Sequence, residues 1–455
     1  MSLNYYGKII RQYIGSGKIT LDSEYSTEFE LVQISKGDIY VLCKIYQFIP
    51  SLKPGCQIKL FGKTSDDNEI QFEGTSININ VGEVTTVIAY GNYAYIGSLP
   101  KKNKDLSIIF GLTNLTILGT APYEYNKQGR KCFSLQYQFN LEGFDVFIRQ
   151  VPDYKEVINH IKCSRVIDVS CIVVFQNVSI ENIDDIKRLM NNLCCLLTLA
   201  KGCNINWIYY DVFFNGSFVY SQHENRVTKP FGTLQLIPTI PGKDLEYFIN
   251  KTYNRFIEVK EFLELEKAIA EYTDAKMKED HLAFRALKLA VTMEHLKSCF
   301  LRNNNKEYII EKEKFEAKID QVLLVIEVAL RSVFADEDKE KIKLMAKHSR
   351  GFNYYPFGRA LSEICKHFNV DTNSKERKLL KDIRDDLVHR VKFNSEFGSP
   401  WFQYCFLMTF IGRILLSILG YDGFFYDWTK PSGYEGEDME MRIKLEYKGN
   451  CLSHL

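Results

Sequence analysis

Hydrophobic and polar positions follow two different rhythms along this chain. From residue 5 to about 180 the period is two. Runs such as Phe29-Glu-Leu-Val-Gln-Ile, Asp38-Ile-Tyr-Val-Leu-Cys-Lys-Ile and Phe133-Ser-Leu-Gln-Tyr-Gln-Phe alternate or are continuously β-favourable. Ser16-Gly17, Pro54-Gly55, Ser65-Asp-Asp-Asn and Gly91-Asn92 read as turns between them. Short strands at this spacing predict a β-sandwich or a twisted open barrel. One helix interrupts them near 184–201, where Ile186, Leu189, Leu193, Leu196 and Leu197 recur at helical spacing. Asn182 is placed to cap its start and Gly202 to stop it. Strand patterns resume at Ile205-Asn-Trp-Ile-Tyr-Tyr and Asp211-Val-Phe-Phe.

After the Pro-rich segment Leu236-Ile-Pro-Thr-Ile-Pro-Gly-Lys the period becomes helical. Helices are predicted over roughly 244–276, 280–302, 307–334, 337–348, 357–368, 374–392 and 400–419. Phe315, Ile319, Val322, Ile326, Ala329 and Val333 trace a stripe expected to be buried. Ser399-Pro400 is an N-cap followed by proline at the first helical position. The helix after it is apolar nearly all round, as at a bundle centre or a subunit interface. The expected class is α+β and multidomain: a β-rich sandwich or open-barrel domain over 1–240, a helical bundle over 244–435, and a charged tail over 436–455.

Composition narrows the function. Lys+Arg is 58 and Asp+Glu is 57 in 455 residues, a net charge of +1, which excludes a globally basic nucleic-acid coat or an acidic tail. Hydrophobic residues make up 45%, enough for sizeable cores. The run Phe406 to Gly420 is short for a bilayer span and carries Arg413, and Met1-Ser-Leu-Asn-Tyr-Tyr-Gly lacks the features of a signal peptide, so no membrane association is expected. The 12 cysteines are scattered or adjacent, as at Cys194 and Cys195, and none forms C-x-x-C. A reduced, cytoplasmic protein without cofactor is the expectation. The eight histidines are not read as pairing with cysteines at ligand spacing, so no metal is expected.

The sharpest chemistry is Lys381-Asp-Ile-Arg384-Asp385-Asp386-Leu-Val-His389-Arg390. At 100° per residue, Arg384 falls within the apolar arc of Leu380, Ile383, Leu387 and Val388, where a guanidinium must be paired or reach water. His389 lies about 140° further round. Asp385, four residues before His389, is positioned to orient its imidazole. Glu294 is a candidate carboxylate partner for Arg384, with Glu363 competing. Lys381 and Arg390 complete a locally basic patch. An Arg-x(4–6)-His pair alone arises about once by chance in such a chain, so its context in a late bundle helix carries the weight. His295 reads as an ordinary polar-face histidine. His223-Glu-Asn-Arg226 reads as a solvated turn, and Tyr209-Tyr210 as sandwich core.

Arg384-Asp385-Asp386-Leu387-Val388-His389 near the end of a helical bundle resembles the signature of the HEPN superfamily, over roughly 244–425. With the β-rich first part and Leu193-Cys-Cys-Leu-Leu-Thr-Leu-Ala-Lys-Gly202-Cys-Asn-Ile-Asn-Trp207, the whole is similar to ApeA-type proteins of bacterial abortive-infection (antiphage) defence. Asp385 stands where family members commonly have Asn or His. The resemblance implies a metal-independent, toxic endoribonuclease acting on RNA as a homodimer or higher homo-oligomer. Arg384 would stabilise the phosphorane, His389 would serve as general acid/base, and products would carry a 2′,3′-cyclic phosphate. The β domain would sense a trigger, phage-derived or a nucleotide, or restrain activity. The competing reading is a non-catalytic binding scaffold in which Arg384 satisfies a buried acid.

Overall fold

The computed structural model describes residues 8–49, 52–100, 105–127, 130–164, 167–226, 229, 234–239, 242–335, 337–348, 351, 353–430 and 442–444. An N-terminal antiparallel β region is followed by a helical C-terminal region. The first six strands are β1 (Ile9–Thr20), β2 (Glu24–Ile34), β3 (Ile39–Ile45), β4 (Gln57–Thr64), β5 (Glu69–Asn80) and β6 (Thr85–Gly97). They pair in the order 3-2-1-4-5-6, and β3 then pairs with β6, so the sheet closes into a six-stranded barrel rather than staying open. Alternate residues point inward, and Ile19, Leu31, Val41, Ile58, Leu60, Phe72 and Val87 fill a self-contained core.

Two of the expected turns lie inside strands, and the reason is steric. A Cβ on Gly17 would sit 2.2 Å from the Phe61 carbonyl oxygen, and one on Gly91 would sit 2.2 Å from the Phe72 ring. These glycines let strands and the Phe72 ring approach closely in a tightly curved wall. Pro54-Gly55 and Ser65–Asp66 do form turns.

Strand β6 belongs to two surfaces. Its first half pairs with β3, and Tyr93–Gly97 pairs with β13 (Ser217–Glu224). From there the sheet runs on through β12 (Trp207–Phe214), β7 (Leu106–Thr113), β11 (Val169–Val178), β10 (Phe144–Gln150), β9 (Arg130–Leu141) and β8 (Ala121–Lys127). A helix that the period-two reading missed, α1 (Tyr154–Ser164), joins β10 to β11. It is short and buries only Ile158 and Ile161 fully, too few positions to break the strand rhythm.

Helix α2 (Ile183–Lys201) forms where expected, and Gly202 ends it at φ 64°, its N–H donating to the Thr198 carbonyl. Asn182 sits at the N-cap without a side-chain hydrogen bond. Helices α3 (Lys243–Val259), α4 (Leu265–Asp274), α5 (Leu282–Asn303), α6 (Lys312–Glu316), α7 (Ile319–Val333), α8 (Lys339–His348), α9 (Phe357–His367), α10 (Ser374–Arg390) and α11 (Pro400–Ile418) follow. The single helix expected over 244–276 is two, broken at Glu264, whose φ is 48°. Ser399 accepts the Phe402 N–H and Pro400 occupies the first turn of α11, as the sequence implies. Long and apolar enough to cross a membrane, α11 instead lies largely buried inside the bundle.

One buried cluster runs from Leu106 in the second sheet, through α2, to Phe425 after α11. Leu236 and Ile237, in the segment expected to link two domains, are buried in it and both donate to the Ala200 carbonyl. Position 240–241 of that segment lies outside the described residues, as does the expected tail except 442–444, which pair with Phe424–Tyr426. The stripe expected to be buried on α7 is not. Of its positions Ile319 alone is buried, Phe315 and Ile326 are half-buried, and Val322, Ala329 and Val333 are exposed, because α7 packs mainly on α6 and α8.

His223 is a buried β13 residue, not a solvated turn. It lies in a polar seam between barrel and second sheet. Its Nδ1 donates to Gln33 Oε1 at 2.7 Å, and Nε2 meets Tyr13 Oη at 3.2 Å and Ser221 Oγ at 3.1 Å, while Arg11 pairs with Asp211 at 2.6 Å. Burial, reinforced by Arg11, lowers the His223 pKa from 6.5 to about 3, so folding favours the neutral ring. Between those values the unfolded chain binds the extra proton. The His223 contribution is therefore complete above pH 6.5 and is lost as pH falls toward about 3. In chemical denaturation across that window, His223→Gln is expected to flatten the dependence of stability on pH while leaving Arg11 and Asp211 in place.

Candidate functional site

Helix α10 starts in a capping box: Asn373 accepts the Glu376 N–H and the Glu376 carboxylate accepts the Asn373 N–H. Leu380, Ile383 and Leu387 bury its inner face. It ends at Val391, a β-branched residue held at φ 52°, an uncommon conformation that closes the helix just after His389 and Arg390. α10 packs on α5, α9 and α11.

Arg384 points into the seam between α10 and α5, with 15% of its side chain exposed. The structure selects Glu294 on α5 as its partner, in a close ion pair that lacks hydrogen-bond alignment. Glu363 is engaged elsewhere, by Lys306 at 2.8 Å and by the Tyr355 hydroxyl. A second carboxylate, Asp385 Oδ1, accepts from Arg384 Nη1 at 2.6 Å. The guanidinium also lies over the Phe357 ring, 4.8 Å from its centroid. Its Nε is buried without a partner, a donor left over after both acids are counted.

Asp385 therefore faces Arg384 and Lys381, whose Nζ is 3.0 Å from Oδ2. Burial works against its ionisation, but hydrogen bonds from Arg384 and Lys381 outweigh this and hold the carboxyl below its usual range. The same bond raises the Lys381 pKa. With both oxygens occupied, Asp385 makes no hydrogen bond to His389 among the described residues, so the expected orienting contact is not formed. His389 is exposed in the last turn. Arg390, 73% exposed, pairs with Asp386 at 3.2 Å. Five residues of helix put the Arg384 and His389 positions roughly 7.5 Å apart along the axis and about 140° apart around it. One protomer brings Arg384, Asp385, Glu294 and Lys381 together and leaves His389 and Arg390 outside that cluster.

The sequence gives no sign of the role of Phe357, since an aromatic at the first position of a helix carries no signal for stacking under a cation on the next helix. Lys276 likewise carries no local signal in the sequence. It is buried against the Tyr272 ring, 4.0 Å from the centroid, and burial lowers its pKa to about 7.

Residues 101–233 match the family described as YopA central domain. That stretch spans the second sheet from β7 to β13 with α1 and α2, and excludes Arg384 and His389. No curated protein matches the chain, and no solved structure does.

The Arg384 clamp makes an energetic statement. Removing one member of a largely buried ion pair strands the other, whereas removing both costs less. A double-mutant cycle with Glu294→Gln and Arg384→Gln, read by urea denaturation, is expected to give a coupling of about 1–2 kcal/mol, discounted for the partial exposure of Glu294.

Proposed function

We propose that this chain is a phage-defence effector whose helical region cleaves RNA without metal, in the manner of HEPN ribonucleases, and whose β part restrains it or senses a trigger. The observation that carries the reading is Arg384: a largely buried guanidinium on a late bundle helix, with a spare buried Nε–H, five residues before an exposed imidazole. The match of residues 101–233 supports the defence role, since the YopA central domain is seen in ApeA-like defence proteins.

Cleavage without metal needs a group that exchanges protons near neutrality and a permanent cation on the phosphorane. His389 takes the 2′-OH proton or protonates the 5′-oxygen, and Arg384 binds two phosphate oxygens through its fork. Within one protomer the two point away from each other, so the reaction requires a second copy whose groups complete the cleft. Val322, Leu324, Val325 and Val328, exposed on α7, offer apolar surface for that pairing. The acids around Arg384 give the same site a resting state. Glu294 and Asp385 occupy the guanidinium until a phosphate displaces them, and Lys381 takes over Asp385. The restrained form is then the clamped form.

The clamp itself favours a second reading. If Glu294 and Asp385 never release Arg384, the bundle is a non-catalytic binding scaffold. Arg384→Ala and His389→Ala separate the two. On the nuclease reading each lowers cleavage of total RNA by at least about a hundredfold, and abolishes toxicity on expression, with the melting temperature of His389→Ala unchanged. Unfolding by Arg384→Ala together with a silent His389→Ala decides for the scaffold. The paired assembly is expected to dissociate in Val325→Glu and Val328→Glu, measured by light scattering, with cleavage lost in parallel.

A further inference from the structure

A second cluster lies one residue along α5 from the clamp. His295 and Cys299, four residues apart, share one face of the helix, and Glu264 reaches them from the break between α3 and α4. Their ligand atoms, an imidazole nitrogen, a thiol sulfur and a carboxylate oxygen, all lie within 4.8 Å of one another. The reading that histidines and cysteines are not paired at ligand spacing overlooks this pair. It supplies only two ligands, and the third comes from a different helix boundary 31 positions upstream, which spacing does not reveal.

Hydrogen bonding at His295 indicates what the cluster is built to hold. The side chain is 7% exposed. Nδ1 meets Glu271 Oε1 at 3.4 Å, and a carboxylate can only accept, so Nδ1 carries a proton. In the neutral ring, Nε2 then presents a lone pair. It is buried without a hydrogen-bond partner and faces Glu264 Oε2 at 3.6 Å, a second acceptor. Two acceptors face to face call for a positive charge between them. Arg302 answers this only at the edge: its Nη2 reaches Glu264 Oε1 at 2.5 Å and Cys299 Sγ at 3.5 Å, from a side chain 54% exposed.

We propose that Glu264, His295 and Cys299 form a zinc site. One sulfur, one imidazole nitrogen and one carboxylate oxygen are the donor types that borderline-soft Zn²⁺ prefers, and three protein ligands leave a fourth position for water. Glu271 on Nδ1 is the outer-shell carboxylate that fixes the tautomer of a metal-bound histidine and strengthens its lone pair. Burial and the adjacent Glu264 raise the Cys299 pKa, so the metal must displace the thiol proton, and binding releases it. Arg302 swings out to solvent as the metal enters. The site pins the break between α3 and α4 to α5. It is independent of the nuclease reading: its residues do not overlap with Arg384, His389 or Asp385.

The test uses the full-length protein, loaded with zinc or with cobalt as a visible probe. Elemental analysis after dialysis is expected to give about one zinc per chain, and the cobalt form a thiolate-to-cobalt charge-transfer band. Cys299→Ser removes the band, and His295→Gln weakens zinc binding at least tenfold. Arg302→Ala tightens zinc binding by roughly severalfold, because a competing cation is gone. That gain distinguishes a metal site from an ion-pair cluster, in which Arg302→Ala only destabilises. Folded wild-type protein with no retained zinc and no cobalt band overturns the proposal, leaving a polar cluster of His295, Glu264 and Glu271 that holds no metal. A band that survives in Cys299→Ser overturns it as well. If Cys299→Ser fails to fold, His295→Gln and Arg302→Ala carry the decision.

Discussion

Helix α5 packs against α4, α9, α10 and α11, so a charge on its inner faces must find a partner on a neighbouring helix. It carries two such groups in succession. Glu294 turns to α10 and meets Arg384, and His295 turns to the α3–α4 break and meets Glu264 and Glu271. Side chains at successive helical positions diverge by about 100°, so one helix serves two separate polar clusters without their sharing a ligand. The position of α5 in the bundle thus fixes the geometry of both sites, and any movement of α5 is felt by both.

Buried apolar surface sets the larger architecture. α2 and α11 have few polar faces, and each must be covered on nearly all sides. α2 is covered by the second sheet together with α3 and α4, which merges the sheet and the helices into one core. The barrel stands apart with its own core and meets the rest through a polar seam of Arg11, Tyr13, Gln33, Asp211 and His223. Such a seam is directional and satisfied bond by bond, whereas the α2 contact is broad and apolar.

Within the site, two acids restrain one cation. Glu294 and Asp385 hold Arg384, and Asp385 is itself held by Lys381. An acid at the position after the arginine therefore has a physical consequence in this chain. It adds a local acceptor for the guanidinium beside Glu294.

Local periodicity was enough to establish the β-to-helical order, the extent of α2 and its Gly202 stop, and the Ser399-Pro400 start of α11, because each depends on residues within a turn or two. The inward placement of Arg384 followed from helical geometry alone. Tertiary structure alone decided the β3–β6 closure, the burial of His223, the exposure of the α7 stripe, the choice of Glu294 over Glu363, and the meeting of Glu264 with His295 and Cys299. The physical reason is common to all five. An amphipathic pattern says that a face wants a partner, but which partner arrives is set by packing between segments far apart in the chain, and α7 keeps an apolar face that no described element covers.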